Sequence, residues 1–154
     1  MPDEPLTNDA AERIRDIYGV WNEFSEPPSV APADHFTDDF VFSDRRKGGV
    51  NFGELDASDY VRTFEQFWNV GRQPHFSMVE VIAVRGEWST AHLERVVYGD
   101  SDMYTEFIIV VDRDPVRGRL RRIVHFDPED LDAAIAELDR IHTENADESD
   151  PDPS

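Results

Sequence analysis

The sequence contains no cysteine, so neither disulfide bonds nor thiolate chemistry contribute to its fold or function. It also lacks any long apolar run, which excludes a helix that spans a membrane. Basic residues are scarce, with 15 against 34 acidic residues, and the formal net charge is −19 at pH 7. Such a charge repels nucleic acids and anionic lipids, so we expect neither as a partner.

Lysine is almost absent as well, because Lys47 is the only one in the chain. An acidic, lysine-poor surface is typical of a halophilic protein, and a GC-rich genome also favours arginine over lysine. The acidic N-terminus has no apolar signal-peptide core, so we expect a cytoplasmic protein.

The remaining composition is that of one folded domain. With 154 residues, 39% of them hydrophobic and 11% aromatic, the chain is long enough to bury a sizeable core. We expect a flexible arm over residues 1–8 and a single domain over residues 9–142. Residues 143–154 have few apolar side chains to bury, so we expect a disordered acidic tail there.

Four strand-like runs with apolar residues on both faces follow one another, separated by short turns. They cover residues 74–84, 88–98, 103–112 and 119–126. Short turns join antiparallel strands, and a sheet with two apolar faces needs a cover on each. We expect helices on one face and a partner subunit of a homodimer on the other. Apolar periodicity predicts helices over residues 10–24 and 58–70, and another that starts near residue 127.

The order of these elements resembles the nuclear transport factor 2-like superfamily, in particular its SnoaL-like, polyketide cyclase-like branch. Residues 40–46 (FVFSDRR) resemble the end of the first strand in that group. Residues 123–134 (IVHFDPEDLDAA) resemble its last strand and closing helix. The resemblance covers residues 8–142. It implies a cone-shaped α+β barrel, in which a curved antiparallel sheet wraps around N-terminal helices and a C-terminal helix follows. It also implies a cavity for a small apolar organic ligand and often a dimer, without naming a reaction.

Polar residues in the strands offer a candidate catalytic row. If the two residues that flank the turn pair with each other, Arg95 faces Glu106 across one hairpin. If Asp112 faces Arg119 across the next hairpin, Glu106 also faces His125. A carboxylate between an arginine and a histidine is a plausible acid–base unit, because Glu106 can fix the histidine tautomer. The alternative interpretation is an ion-pair row on the outer face or at a dimer interface.

The opposite face offers a second pair, because the first hairpin places Glu80 opposite His92 and Met78 opposite Glu94. His92 is therefore an alternative base. The sequence does not decide which face is concave. The small aliphatic residues beside Arg95 leave room for a ligand and favour that face, which Tyr104 also shares as a ligand-binding candidate.

Further candidates come from outside the long strands. In members that resemble ketosteroid isomerases, a carboxylate near the end of the first strand acts as a base, which implies this role for Asp44; a structural turn aspartate is the alternative. Tyr18 lies on the inner stripe of the first helix, where relatives place a hydrogen-bond donor. Aromatic side chains on the two helices either contact the ligand or pack the core; they are Trp21, Phe64 and Trp68.

These residues predict a small-molecule-binding domain. If it is an enzyme, we expect cofactor-free acid–base chemistry at a carbonyl, such as isomerisation or aldol cyclisation. His125 or Asp44 would abstract the proton, Tyr18 would donate to the oxyanion, and Arg95 with Glu106 would set the charge. The alternative is a non-catalytic binding module or a dimeric interaction module of the same fold. The sequence has no metal-ligand spacing and no glycine-rich phosphate loop, so we expect no metal and no cofactor.

Overall fold

The computed structural model describes residues 6–23, 35–47, 53–69, 73–99 and 104–149, without the side chains of 67–69 and 146–149. Within these ranges it confirms an α+β fold. The elements, in chain order, are α1 (Asp9–Asn22), β1 (Phe36–Asp44), β2 (Glu54–Leu55), α2 (Ala57–Asn69), β3 (Pro74–Arg85), β4 (Ser89–Tyr98), β5 (Tyr104–Arg113), β6 (Leu120–Phe126) and α3 (Leu131–Ser149). No helix in the described ranges is both long enough and apolar enough to cross a bilayer.

All six strands belong to one curved, unclosed sheet with the order β2-β1-β6-β5-β4-β3. The four strands β3 to β6 form the predicted antiparallel meander. The sheet as a whole is mixed, because β1 pairs with β6 in parallel. Short hairpins force neighbouring strands to run in opposite directions, but no hairpin joins β1 to β6. Their relative direction depends on how the elements between them pack.

Asn8 fixes the start of α1 to the sheet. Its Oδ1 accepts a hydrogen bond from the Ala11 amide at 2.9 Å and caps the helix. Its Nδ2 donates to the carbonyl oxygens of Gly86 at 3.0 Å and Ser89 at 2.8 Å. Asn8 is buried, so the flexible arm that we expected over residues 1–8 ends earlier. Residues 1–5 lie outside the described ranges.

Replacing Asn8 with alanine should lower the free energy of unfolding by about 2–4 kcal/mol, because the helix loses its cap and two carbonyl groups lose a donor. Asn8→Ser keeps a capping oxygen and should recover about 1 kcal/mol of that loss. Urea denaturation of both variants measures the difference. The neighbouring Thr7 is exposed, so Thr7→Ala serves as the control. Equal losses for Asn8→Ala and Thr7→Ala would contradict this assignment.

The sheet separates two apolar cores. The inner face, defined here as the face that packs against α1 and α2, carries the larger one. The outer face packs against α3 through the sheet residues Ala91, Ile108, Val110, Val124 and Phe126 and the helix residues Ala134, Leu138 and Ile141. A helix of the same chain therefore covers this part of the second apolar face, where we expected a partner subunit.

The C-terminal half of α3 is held by polar contacts. Asn145 is buried and donates to Asp112 Oδ1 at 2.7 Å, while Arg122 Nη1 lies 2.5 Å from Glu144 Oε2. The predicted disordered tail is therefore wrong for residues 143–149, which are helical. The expectation rested on missing apolar side chains, but buried polar groups attach this segment to β5 and β6. Residues 150–154 lie outside the described ranges.

Candidate active site

The observed register divides the predicted catalytic row. Arg95 does face Glu106, as expected. Across the next hairpin, however, Asp112 faces Arg122 instead of Arg119, and His125 faces Ile109. This shift of three residues is odd, so it moves His125 to the opposite face of the sheet from Glu106.

The turn before β6 and a register irregularity beside it explain the shift. The turn pairs Arg113 with Leu120, which is two residues later than expected, and the irregularity between Arg113 and Asp112 adds the third residue that makes the shift odd. The Asp114 carboxylate accepts hydrogen bonds from the amides of Val116, Arg117 and Arg119 at 2.7–2.8 Å. These bonds hold the whole segment in a compact loop, so that β6 begins at Leu120. The sequence does not reveal that an aspartate side chain will organise a turn in this way. The length of the hairpin loop could therefore not be predicted from it.

Arg95 and Glu106 form an ion pair on the outer face. Arg95 donates from Nε and Nη2 to Glu106 Oε2 at 3.0 and 2.7 Å. The two side chains remain 42% and 30% exposed. Tyr104 is on the same face, 55% exposed, with the Arg95 guanidinium carbon 4.6 Å from its ring centroid. These three residues, predicted at the site, lie on the far side of the sheet from His125.

The inner face brings together the remaining polar candidates. Asp44 pairs with His125 across β1 and β6, His125 with Ile109 across β6 and β5, and Ile109 with His92 across β5 and β4. One row across four strands therefore carries two histidines and a carboxylate. We define the inner cluster as this row together with the neighbouring polar side chains of Tyr18, Arg46 and Glu94.

Glu94 accepts hydrogen bonds from two sides. His92 Nε2 lies 2.9 Å from its Oε1, and the Tyr18 hydroxyl donates to the same carboxylate. All three side chains are buried. Burial raises the pKa of Glu94, although the bonds from His92 and Tyr18 oppose this change. Burial and the Glu94 charge raise the pKa of Tyr18 well above its ordinary value, so Tyr18 keeps its proton.

The predicted pairing of Glu80 with His92 is wrong. Val81 lies opposite His92, because the register shifts between Met78 and Glu80. An irregularity of this kind puts an extra residue into one strand and changes the partner of every later residue. The predicted pairing of Met78 with Glu94, which precedes the shift, is confirmed.

His125 is buried between two phenylalanine rings. Its ring centroid lies 4.7 Å from that of Phe42 and 4.4 Å from that of Phe107. Burial lowers the pKa of His125 to about 3, and the nearby Arg46 charge acts in the same direction. The imidazole is therefore neutral at pH 7. Within the described part of the chain, neither ring nitrogen has a hydrogen-bond partner.

Asp44 is buried beside His125 but is fully engaged by Arg46. Its carboxylate accepts from Arg46 Nε at 2.9 Å, from Nη2 at 2.8 Å and from the amide at 3.1 Å. Burial alone would raise the pKa of Asp44, but these bonds and the Arg46 charge hold it below its ordinary value. Arg46 also lies 5.0 Å from the Phe107 ring centroid. Asp44 therefore stays ionised and is a weak proton acceptor.

The aromatic candidates lie in the inner core. Trp21 and Phe64 are buried, with ring centroids 5.4 Å apart. Trp21 Nε1 donates to His35 Nδ1 at 3.0 Å, which satisfies its polar atom. The structure describes the backbone of Trp68 in α2 but not its side chain.

A concavity lies on the outer side, between β1, β2, β6 and α3. It has a volume of about 330 Å³. Four arginines and four carboxylates contribute to its lining: Arg45, Arg121, Arg122, Arg140, Asp39, Glu54, Glu137 and Glu144. Each arginine binds a carboxylate, whereas the ring nitrogens of His125 on the inner face have no hydrogen-bond partner among the described residues. In the described ranges, no three side chains of histidine, aspartate or glutamate converge as metal ligands.

Solved structures identify the architecture. A cystatin-like protein of unknown function from Methylobium petroleophilum has 16% identity and a TM-score of 0.58, over 79% of this chain and 78% of that one. A nuclear transport factor 2-like protein from Cytophaga hutchinsonii has 10% identity and a TM-score of 0.53, over 85% and 98%. This chain has the nuclear transport factor 2-like fold.

The same fold occurs in enzymes. A steroid delta-isomerase from Pseudomonas aeruginosa shares 14% identity with this nuclear transport factor 2-like chain, with a TM-score of 0.51 over 94% of this chain and 98% of that one. Other similar structures include a polyketide cyclase and an epoxide hydrolase. No protein-family model matches the sequence, and no curated protein matches it either.

Proposed function

We propose that the inner face binds a small, mostly apolar carbonyl compound and catalyses cofactor-free proton transfer on it, as in isomerisation or cyclisation. The observation that carries this proposal is the state of His125. Buried polar atoms in proteins almost always have hydrogen-bond partners. A neutral imidazole with two unpartnered nitrogens, enclosed by Phe42 and Phe107, fits a carbonyl ligand.

The residues beside His125 suit a reaction in which a proton leaves a carbon atom of the ligand and later returns to carbon. In this scheme the neutral imidazole removes a proton from the carbon beside the carbonyl, and the electron pair moves onto the oxygen as an enolate. Asp44 favours the resulting imidazolium, and the Arg46 charge favours the enolate. The imidazolium then returns the proton to carbon. Arg46 thus has the electrostatic role that we predicted for Arg95. Tyr18 acts through Glu94 as a positioning residue.

Acetophenone is a suitable probe for the binding part of this proposal, and ethylbenzene is its match without the carbonyl. With protein labelled by ¹⁵N at histidine, acetophenone should shift the His125 ring-nitrogen resonances and raise the melting temperature by mass action. Ethylbenzene should leave those resonances unchanged. Identical responses to both compounds would show that His125 does not recognise a carbonyl, and the proposal would fail.

Non-catalytic binding is the second candidate function, and one observation favours it. A pKa of about 3 makes His125 a weak base, although a good hydrogen-bond partner. Hydrogen–deuterium exchange of the acetophenone methyl group, followed by NMR in D₂O, separates the two functions. An enzyme accelerates this exchange above the buffer rate, and a binding module does not.

The homodimer remains part of the proposal. The exposed Tyr104 and the partly exposed Arg95 and Glu106 on the outer face support it, because the described side chains of α3 pack against other residues of the sheet. Sedimentation velocity of the wild type and of Tyr104→Asp tests this interface. We expect a dimer in the wild type and a monomer in the variant, and a monomeric wild type would contradict the proposal.

A further inference from the structure

A second buried histidine on the inner face also has an unpartnered nitrogen. His92 is fully buried, and its Nε2 lies 2.9 Å from Glu94 Oε1. Its Nδ1 has no hydrogen-bond partner in the described part of the chain. The reaction proposed above uses His125 and leaves this nitrogen without a role. Leaving a buried hydrogen-bond acceptor without a partner costs about 1–3 kcal/mol, so we expect a ligand group to supply the partner of this atom.

The two histidines flank one side chain. Ile109 lies opposite His92 on one side and opposite His125 on the other, and all three residues share the inner face. Two strand spacings separate the histidines, which is about 10 Å between their Cα atoms. Ile109 is itself buried in the inner core, so a ligand that displaces the side chains packed over it would reach both imidazoles, with its apolar part against the isoleucine.

The hydrogen bonds at Glu94 define what His92 can offer. Tyr18 keeps its proton and donates to Glu94. When His92 also donates from Nε2 to this carboxylate, its Nδ1 carries a lone pair and accepts a hydrogen bond. A hydroxyl or enol group donates a hydrogen bond to that lone pair, whereas a carbonyl oxygen can only accept one.

We infer that the ligand carries two oxygen groups, a carbonyl held by His125 and a hydroxyl or enol held by His92 Nδ1, on either side of Ile109. This inference rests on the proposed function, because it takes the carbonyl at His125 from there. It narrows the substrate class from apolar carbonyl compounds to hydroxycarbonyl compounds. His92 becomes a specificity-determining residue, since a plain ketone leaves its Nδ1 unpaired.

Three ring compounds separate the two contacts. Para-hydroxyacetophenone has both oxygen groups, acetophenone has the carbonyl alone, and para-ethylphenol has the hydroxyl alone. In NMR titrations of histidine-labelled protein, para-hydroxyacetophenone should bind about 10-fold more tightly than either of the other two. The His92 Nδ1 resonance should move with the two hydroxyl-bearing compounds and stay in place with acetophenone.

His92→Phe removes the acceptor and keeps a ring. This variant should lose the 10-fold preference for para-hydroxyacetophenone over acetophenone. The exposed His75 on β3 provides the control, and His75→Phe should behave as the wild type. The wild-type resonance shifts decide the question even if His92→Phe does not fold.

The outcomes separate the inference from the proposed function. If acetophenone shifts His125 but the added hydroxyl changes neither the affinity nor the His92 Nδ1 resonance, the inference is wrong and the proposed function stands. If none of the three compounds shifts His125, both are wrong. A shift at both histidines with para-hydroxyacetophenone, and at His125 alone with acetophenone, supports both.

Discussion

His125→Phe should make the protein less sensitive to acid than the wild type. The unfolded chain binds a proton at His125 near the ordinary histidine pKa of 6.5, while the folded protein does so only at about 3. Because the unfolded state binds more protons between these values, stability falls as the pH falls through this window. Between pH 7 and pH 4, the wild type should lose about 3 kcal/mol more unfolding free energy than the variant.

Urea denaturation at pH 7, 6, 5 and 4 measures this difference. Phenylalanine suits the site, because the rings of Phe42 and Phe107 already surround His125. His75→Phe is again the matched control, since His75 is exposed, and its pH profile should follow the wild type. Parallel profiles for the wild type and His125→Phe would show that His125 takes up protons equally in both states.

The same variant tests the proposed chemistry. If His125 moves the proton, His125→Phe should lower the enzyme-dependent deuterium exchange of acetophenone by about 10²–10⁴-fold, the usual contribution of a general acid–base group. His92→Phe keeps the proposed base and should retain most of this exchange. Loss of the reaction in His92→Phe together with full activity in His125→Phe would reverse the assigned roles.

Replacing Asp112 with alanine should have the largest effect on stability. Asp112 is fully buried, and its Oδ2 accepts from Arg121 Nε at 3.0 Å and from Arg122 Nε at 3.1 Å. Its Oδ1 accepts from Asn145 at 2.7 Å. Removing one partner of a buried charged network costs about 3–5 kcal/mol. The melting temperature should fall by about 6–20 °C in a domain of this size.

Asp139→Ala is the matched control for Asp112→Ala. Asp139 binds Arg85 at 2.6 Å, but its side chain is 57% exposed, and such pairs contribute about 0–1 kcal/mol. Hydrogen exchange adds a local readout, because Asp112→Ala should remove the protection of the α3 amides near Asn145 more than that of amides near Leu138. Equal melting temperatures for the two variants would show that the Asp112 contacts do not hold α3.

Most elements of this fold could be predicted from the sequence, because they depend on local patterns. The apolar periodicity of α1 includes Ile14 and Ile17, and the Asn8 cap marks its first turn. Turn residues separate the four long strands within one or two positions of the observed ends. The resemblance to nuclear transport factor 2-like proteins then supplied the arrangement of helices and sheet, which the solved structures share.

The sheet face on which each site residue lies could not be predicted. A shift of the strand pairing by an odd number of residues moves a side chain to the opposite face. The irregularity at Asp112, beside the loop that the Asp114 side chain organises, set one register, and the irregularity before Glu80 set another. One signal did not depend on register: His92 and Glu94 are two positions apart in a strand, so they share a face whatever the pairing. This spacing alone could have identified their contact.

The parallel pairing of β1 with β6 has a consequence for how the inner cluster forms. Asp44 and His125 are neighbours across these strands, although most of the chain lies between them. Contacts between distant segments form late and slow the overall rate of folding. During synthesis, the ribosome must release the chain as far as β6 before the two residues can meet. A nascent chain that ends before β6 lacks His125 and cannot form the inner cluster.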